Sequence, residues 1–269
     1  MNINLVVVAS YFSENLVKLS SDGDLKIFYK AYVNGRIGKA FRLLLLIITS
    51  WLSRLLSGSV CTLYIPHSYK KFGLIIKFCS YDRLILIDDG VAFLSAQNFQ
   101  KKYIFPLVRS GVCKNIIACD DNLLGNQKDL NAKVKVLKRS TVVREMISSH
   151  SIESIYSLDT PHMIIIDNGT WSEEECSAMF KQVNTKFNLN CFLVLHPARD
   201  FNINIGTKLD VPFEIWWASN QQSVQGLVCN FSTAAMNIKS ISPELDIYFV
   251  PPHTTDHLDI IRKIKGKWL

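Results

Sequence analysis

Arg83-Leu84-Ile85-Leu86-Ile87-Asp88-Asp89-Gly90 is the stretch on which the fold turns. A short apolar run reads as a strand of a parallel sheet, covered on both faces. It stops abruptly at two carboxylates and a glycine. Two later stretches have the same form. Cys191-Phe192-Leu193-Val194-Leu195 runs into His196-Pro197, and Gly226-Leu227-Val228-Cys229-Asn230-Phe231 runs into Ser232-Thr233. In open α/β sheets the carboxyl ends of strands face the ligand crevice. A carboxylate pair, an imidazole and a hydroxyl pair placed there supply a base, an acid and phosphate donors. That is chemistry suited to group transfer from a phosphate-bearing donor.

Working outward, strand-length apolar runs alternate with helical stretches, the pattern of βαβ units. In the first half they are Ile3–Ala9, Val60–Ile65, Leu84–Ile87, Asn115–Ala118 and Lys133–Leu137. In the second they are Met163–Ile166, Cys191–Leu195, Phe213–Trp217, Leu227–Cys229 and Ile247–Val250. Five and five predict two doubly wound α/β domains, residues 1–150 and 151–269, joined near the Ser-rich stretch Ser148–Pro161. No sequence repeat is evident. Thr170-Trp171-Ser172-Glu173-Glu174-Glu175 reads as a helix start, with acidic residues where the helix dipole favours them. Thr254 or Thr255 would cap a final helix through Ile264, with Lys263, Lys265 and Lys267 towards its end.

The chain has 269 residues, 48% of them apolar, so substantial cores are affordable and disorder is excluded. Thirty Lys and Arg against 23 Asp and Glu give a net charge of +7, which suits an anionic partner. The basic residues are dispersed and accompany no nucleic-acid-binding motif, so a nucleic-acid partner is not expected. Seven cysteines without a C-x-x-C pair indicate neither zinc nor a disulfide framework, but reduced core thiols of a cytoplasmic protein. The N-terminal Asn2–Val8 lacks a basic leader and reads as the first strand. Phe41–Leu56 is strongly apolar but shorter than the roughly 20 residues a membrane span needs. It admits two readings: a buried helix of the first sheet, or an interfacial helix ringed by Arg36, Lys39, Arg42 and Arg54.

Each polar cluster also has a plain alternative. Asp88-Asp89 can act as a base whose pKa is raised by its like-charged neighbour, as a cap or turn, or as a metal ligand pair. His196, pinned by Pro197, can protonate a departing phosphate or serve as a structural residue. Ser232-Thr233 can form an anion site at a helix N-terminus or an ordinary N-cap. Asn168-Gly169-Thr170 is a similar strand-to-helix turn. Glu214, in an apolar strand, suits a ribose diol or faces solvent. Asp120-Asp121, His67 and His253 also follow strands and are read as cleft-lining or structural.

Taken in order, Asp88-Asp89-Gly90, His196-Pro197, Pro212-Phe213-Glu214 and Ser232-Thr233 resemble the motifs of bacterial sialyltransferases of the lipooligosaccharide and capsule type. The resemblance implies a GT-B fold, two Rossmann-like doubly wound domains facing a cleft, with the acceptor side in the first and the nucleotide sugar in the second. It implies inverting transfer of sialic acid from CMP-sialic acid to a hydroxyl of a bacterial surface glycan (lipopolysaccharide, O-antigen or capsule), with no metal or other cofactor. On that basis Asp89 is the base and His196 the acid or phosphate partner. Ser232 and Thr233 bind phosphate, Glu214 contacts the ribose, and Asn168, Gly169, Thr170 and Pro197 complete the donor side. The partners implied are a CMP-sugar and a glycan or glycolipid acceptor, in the cytoplasm or at the anionic cytoplasmic face of the inner membrane. Two alternatives stay open: transfer of another CMP-activated acidic sugar such as Kdo, and a non-catalytic nucleotide- or glycan-binding protein.

Overall fold

The computed structural model describes residues 2–8, 10–20, 25–30, 36–57, 60–67, 71–88, 102–119, 132–150, 157–167, 169, 171–196, 205–230, 232–251, 258, 261–262 and 264–269. Of the residues singled out above, Asp89, Gly90, Asp120, Asp121, Asn168, Thr170, Pro197, Phe231, His253, Thr254, Thr255 and Lys263 lie outside that set. The chain divides into two compact units, Met1–Val142 and Val143–Leu269. The break falls inside a helix, Arg139–Ser148, upstream of the Ser-rich stretch expected to hold the junction.

The first unit runs β1 (Asn2–Val8), α1 (Tyr11–Ser20), β2 (Leu25–Lys30), α2 (Arg36–Ser57), β3 (Val60–Ile65), α3 (Lys71–Phe78), β4 (Arg83–Ile87), α4 (Phe105–Arg109), β5 (Cys113–Cys119), β6 (Lys133–Leu137) and the start of α5 (Arg139–Ser148). Its strands lie in the order β2-β1-β3-β4-β5-β6, and every described pairing is parallel. The second unit continues with β7 (His162–Ile166), α6 (Glu173–Phe187), β8 (Asn190–Leu195), β9 (Gly206–Lys208), α7 (Phe213–Asn220), β10 (Val224–Cys229), α8 (Thr233–Ile241), β11 (Asp246–Phe249) and β12 (Lys267–Trp268). Its order is β12-β11-β10-β7-β8-β9, again parallel.

The central strands form because both faces can be covered. Leu5, Leu63 and Leu86 in the first sheet and Ile165, Leu193 and Val228 in the second are buried in separate cores. Burying such a side chain contributes about 1.5–3 kcal/mol. Among the described residues the sheets hold six strands each rather than five. The additions, β2, β9 and β12, are all edge strands. The stretch Phe213–Trp217, expected as a strand, is instead the start of helix α7. Pro212 occupies its N-cap with φ −53°, and Glu214 stands in its first turn. α6 begins where the acidic cluster predicts. Ser172 Oγ accepts from the Glu175 amide at 3.2 Å and Glu175 Oε2 accepts from the Ser172 amide at 2.6 Å, a reciprocal capping box. Lys267, expected near the end of a helix, lies in β12 beside Tyr248 of β11.

None of the seven cysteines forms a disulfide. Burial pushes the Cys61, Cys79 and Cys191 thiols up to about 11 and Cys229 up to about 12. They are therefore protonated and poorly nucleophilic at neutral pH.

His67, just past β3, is 7% exposed and meets Phe72 edge-on at 4.7 Å. Burial lowers its pKa from 6.5 to about 4. As pH falls from 6.5 towards 4, the unfolded chain binds the proton that folded His67 refuses, so stability is lost across that window. His67→Asn is expected to flatten this decline by up to about 3 kcal/mol in urea unfolding. An identical pH slope in the variant would contradict the assignment.

Candidate functional site

In the second sheet the chain winds outward from β7 through β8 to β9, then returns to start again at β10 on the other side of β7. The β7/β10 boundary is thus a topological switch point, where open α/β sheets bind ligands at the carboxyl ends of their strands. Three of the expected clusters reach this edge. Gly169 follows β7, His196 follows β8, and Ser232 follows β10.

Asp167, at the end of β7, organises the first two. Its Oδ1 accepts from the Gly169 amide at 2.8 Å and its Oδ2 from the His196 amide at 3.2 Å. The carboxylate is 2% exposed, so these bonds form in a protected setting. Gly169 has φ +84°, and a Cβ there would lie 3.2 Å from His196 Cγ. Glycine therefore serves twice, allowing the left-handed turn and leaving room for the imidazole. His196 is half-buried against it.

Ser232 is the N-cap residue of α8, but its side chain makes no capping hydrogen bond to that helix. The ordinary N-cap alternative is therefore not what the hydroxyl does, and the first-turn amides are not satisfied by it. Glu214 reaches the same region from a helix rather than a strand. As a crossover helix, α7 runs back against the strand direction, which puts its first turn near the carboxyl edge. Glu214 is 7% exposed and its Oε1 accepts from Asn237 Nδ2 of α8 at 2.7 Å. This bond ties the start of α7 to the helix behind Ser232. Asn237 and Asp167 were not among the expected site residues. Asp167 carried a signal, since it precedes Asn168-Gly169. Asn237, in mid-helix, carried none.

The first sheet uses the same device as the second. Asp88, at the end of β4, is fully buried. Its amide donates to the Ile117 carbonyl at 2.8 Å, and its Oδ2 accepts from the Cys119 amide at 3.1 Å. The Asp167 amide likewise donates to the Val194 carbonyl at 3.0 Å. Each aspartate braces the end of the next strand. The parallel extends to sequence: Leu84-Ile85-Leu86-Ile87-Asp88-Asp89-Gly90 matches Met163-Ile164-Ile165-Ile166-Asp167-Asn168-Gly169 in pattern. A short internal repeat, not evident in the sequence read along its length, thus marks equivalent strand ends in the two units. Asp88 belongs to the bracing, while Asp89 lies outside the described residues. The first sheet has its own switch point between β1 and β3, and His67 follows β3 there.

Two parallel, doubly wound sheets in sequence define a GT-B architecture. Solved structures share it. Two are of UDP-GlcNAc 2-epimerase from Methanocaldococcus jannaschii. The one in complex with UDP-GlcNAc and UDP has a TM-score of 0.58 at 8% identity, over 97% of this chain and 87% of that one. The other has a TM-score of 0.52 at 9% identity, over 97% and 86%. A glycosyltransferase, SnogD from Streptomyces nogalater, aligns over 98% of this chain and 85% of its own, at 8% identity with a TM-score of 0.44. No family model matches the chain, and no curated protein matches it in sequence.

Proposed function

We propose that this chain is a glycosyltransferase using a nucleotide-activated sugar, with CMP-sialic acid as its donor and a hydroxyl of a bacterial surface glycan as acceptor. The observation that carries the proposal is the convergence of His196, Gly169 and Ser232 at the switch point of the second sheet. A half-buried imidazole on the same sheet edge as the N-terminus of α8 suits a leaving phosphate. The α8 amides, Ser232 and Thr233 take its oxygens, and His196 neutralises or protonates it. Glu214 contacts the nucleotide ribose, steadied by Asn237. Asn168, Thr170 and Pro197, outside the described residues, are assigned to the same donor by their place in the sequence. Asp89 accepts the proton of the acceptor hydroxyl. The acceptor oxygen then bonds to the anomeric carbon from the face opposite the departing CMP, so the bond to phosphate breaks with inversion. The net charge of +7 favours capture of so anionic a donor.

Metal independence is part of the proposal. The chain does carry one D-x-D triad, Asp22-Gly23-Asp24, ahead of β2 and outside the described residues. Chelation is therefore a direct test: turnover is expected to survive EDTA. Loss of turnover in EDTA, with rescue by magnesium or manganese, would reassign carboxylates as metal ligands.

The main experiment offers CMP-sialic acid, CMP-Kdo and UDP-GlcNAc with extracted glycan acceptors, and follows products by mass spectrometry. Alongside it, Ser232→Ala combined with Thr233→Ala is expected to weaken CMP binding in calorimetry. Charge-assisted bonds contribute about 1.5–3 kcal/mol each, roughly ten- to a hundredfold in affinity. Unchanged CMP affinity would remove both residues from the phosphate site. Turnover of UDP-GlcNAc alone would move the chemistry to UDP-sugars, and CMP binding without any turnover would favour a non-catalytic binding protein.

A further inference from the structure

Helix α2 turns an apolar face to solvent. One side is fixed to the first unit: Leu46 and Ser50 are fully buried, and Ser50 Oγ accepts from the Ser80 amide at 2.9 Å. On the other side Phe41, Leu44, Ile48, Trp51, Leu52 and Leu55 are exposed, from 44% at Ile48 to 74% at Leu55. At 3.6 residues per turn they fill a single sector of about 100°. The outward side of a surface helix ordinarily carries polar groups. Scattered exposed leucines need no explanation, but six on one stripe do.

The surroundings of the stripe are basic. Arg42 and Arg54 flank it on either side. Trp51 Nε1 donates to the Phe78 carbonyl at 2.9 Å, and Phe78 and Lys77, both exposed, extend the surface onto α3. Next to Trp51 opens a cavity of ≈ 660 Å³ bordered by Arg54, Arg83 and Lys114, with one carboxylate, Asp82, 3.9 Å from Arg54. This cavity lies at the amino ends of β4 and β5, the sheet edge opposite the one that carries His67 and Asp88.

We propose that this face docks on an anionic phospholipid bilayer. α2 lies in the plane of the interface with its apolar stripe among the upper acyl carbons. Trp51 sits at headgroup level, and Arg54, Arg83 and Lys114 take headgroup phosphates. An apolar stripe and a basic rim are the two signals that stable peripheral binding requires. Trp is favoured at this depth. Among the described residues no helix is long and apolar enough to cross a membrane. The buried Leu46 and Ser50 hold α2 to the protein body, so it lies on the bilayer rather than entering it. This inference is independent of the sugar-transfer proposal, because it concerns the opposite edge of the first sheet.

The test uses the full chain with vesicles of phosphatidylcholine alone and of equal parts phosphatidylcholine and phosphatidylglycerol. Sedimentation with the anionic vesicles only, weakening with salt, is expected. Brominated lipid should quench the protein's fluorescence, and the quenching should vanish in Trp51→Phe but persist in Trp268→Phe, which removes the other exposed tryptophan. Leu44→Glu with Leu55→Glu is expected to weaken binding at least a hundredfold, given roughly tenfold for each large apolar group lost. Arg42→Gln should weaken it roughly fivefold. Equal binding to both vesicle types, no binding, or undiminished binding of the double Glu variant would overturn the proposal. So would a dimer in sedimentation velocity that the double variant converts to monomer, since a second copy would then cover the face. The Trp51→Phe arm introduces no charge and does not rely on the Glu variant folding.

Discussion

His196→Ala is expected to slow sugar transfer by roughly 10²–10⁴-fold, the usual contribution of a positioned acid or base. Its effect on CMP affinity should be far smaller, because Ser232, Thr233 and the α8 amides would still hold the phosphate. The expectation rests on how firmly the imidazole is placed. Asp167 fixes its backbone through the His196 amide at 3.2 Å, and Gly169 closes against the ring. Gly169→Ala should therefore reproduce part of the loss without removing the imidazole, since a Cβ 3.2 Å from His196 Cγ must displace it. Slow hydrolysis of the donor, which needs no sugar acceptor, provides the sharper readout. Leaving-group departure limits that reaction, so it should suffer from His196→Ala more than from Asp89→Ala. Transfer by His196→Ala at the wild-type rate would remove the imidazole from the chemistry.

The sequence was most informative where strands are buried on both faces. β4, β8 and β10 end in the apolar runs Leu84–Ile87, Cys191–Leu195 and Gly226–Cys229 because layers of helix and neighbouring strands cover them, and the polar residues that follow each run are correspondingly conspicuous. Edge strands left a weaker trace. β9 and β12 are three and two residues long, too short for any periodicity to register, and Leu25–Lys30 mixes lysines with apolar residues as a strand paired on one side can. Phe213–Trp217 failed for a different reason. A short apolar run fits a buried helix as well as a buried strand, and periodicity alone does not separate them. Pro212 was the signal that could have done so, since proline is compatible with a helix start but not with a central ladder.

Which polar residues follow the buried strands was legible, but the contacts that organise them were not. His196 and Ser232 stood out as polar residues after apolar strands, yet nothing in the sequence announced that Asn237 would hold Glu214 across two helices. Contacts between elements distant in sequence depend on packing that no local pattern encodes. The aspartates are the instructive case. Asp88-Asp89 reads as one functional pair because the residues are adjacent, although successive side chains at a strand end point in different directions. The counterpart at Asp167-Asn168 shows what the first position does: it accepts the amide of the neighbouring strand.

That division leads to a contrast between two adjacent substitutions. Asp88→Ala is expected to destabilise the protein by roughly 1–3 kcal/mol, the cost of leaving a buried partner unsatisfied. The Cys119 amide, which now donates to Asp88 Oδ2 at 3.1 Å, would lose its acceptor in a region closed to water. Asp167→Ala should destabilise the protein by a similar mechanism, because its carboxylate accepts the Gly169 and His196 amides. Asp89→Ala should leave stability unchanged and CMP binding nearly normal while lowering transfer by roughly 10²–10⁴-fold. Urea unfolding and transfer assays on the three variants separate the roles. Full transfer by Asp89→Ala would end its assignment as the base. If Asp88→Ala instead unfolded like the wild type yet failed to transfer, the buried carboxylate would have to be the one that takes the acceptor proton, and the bracing role drawn from its likeness to Asp167 would be wrong.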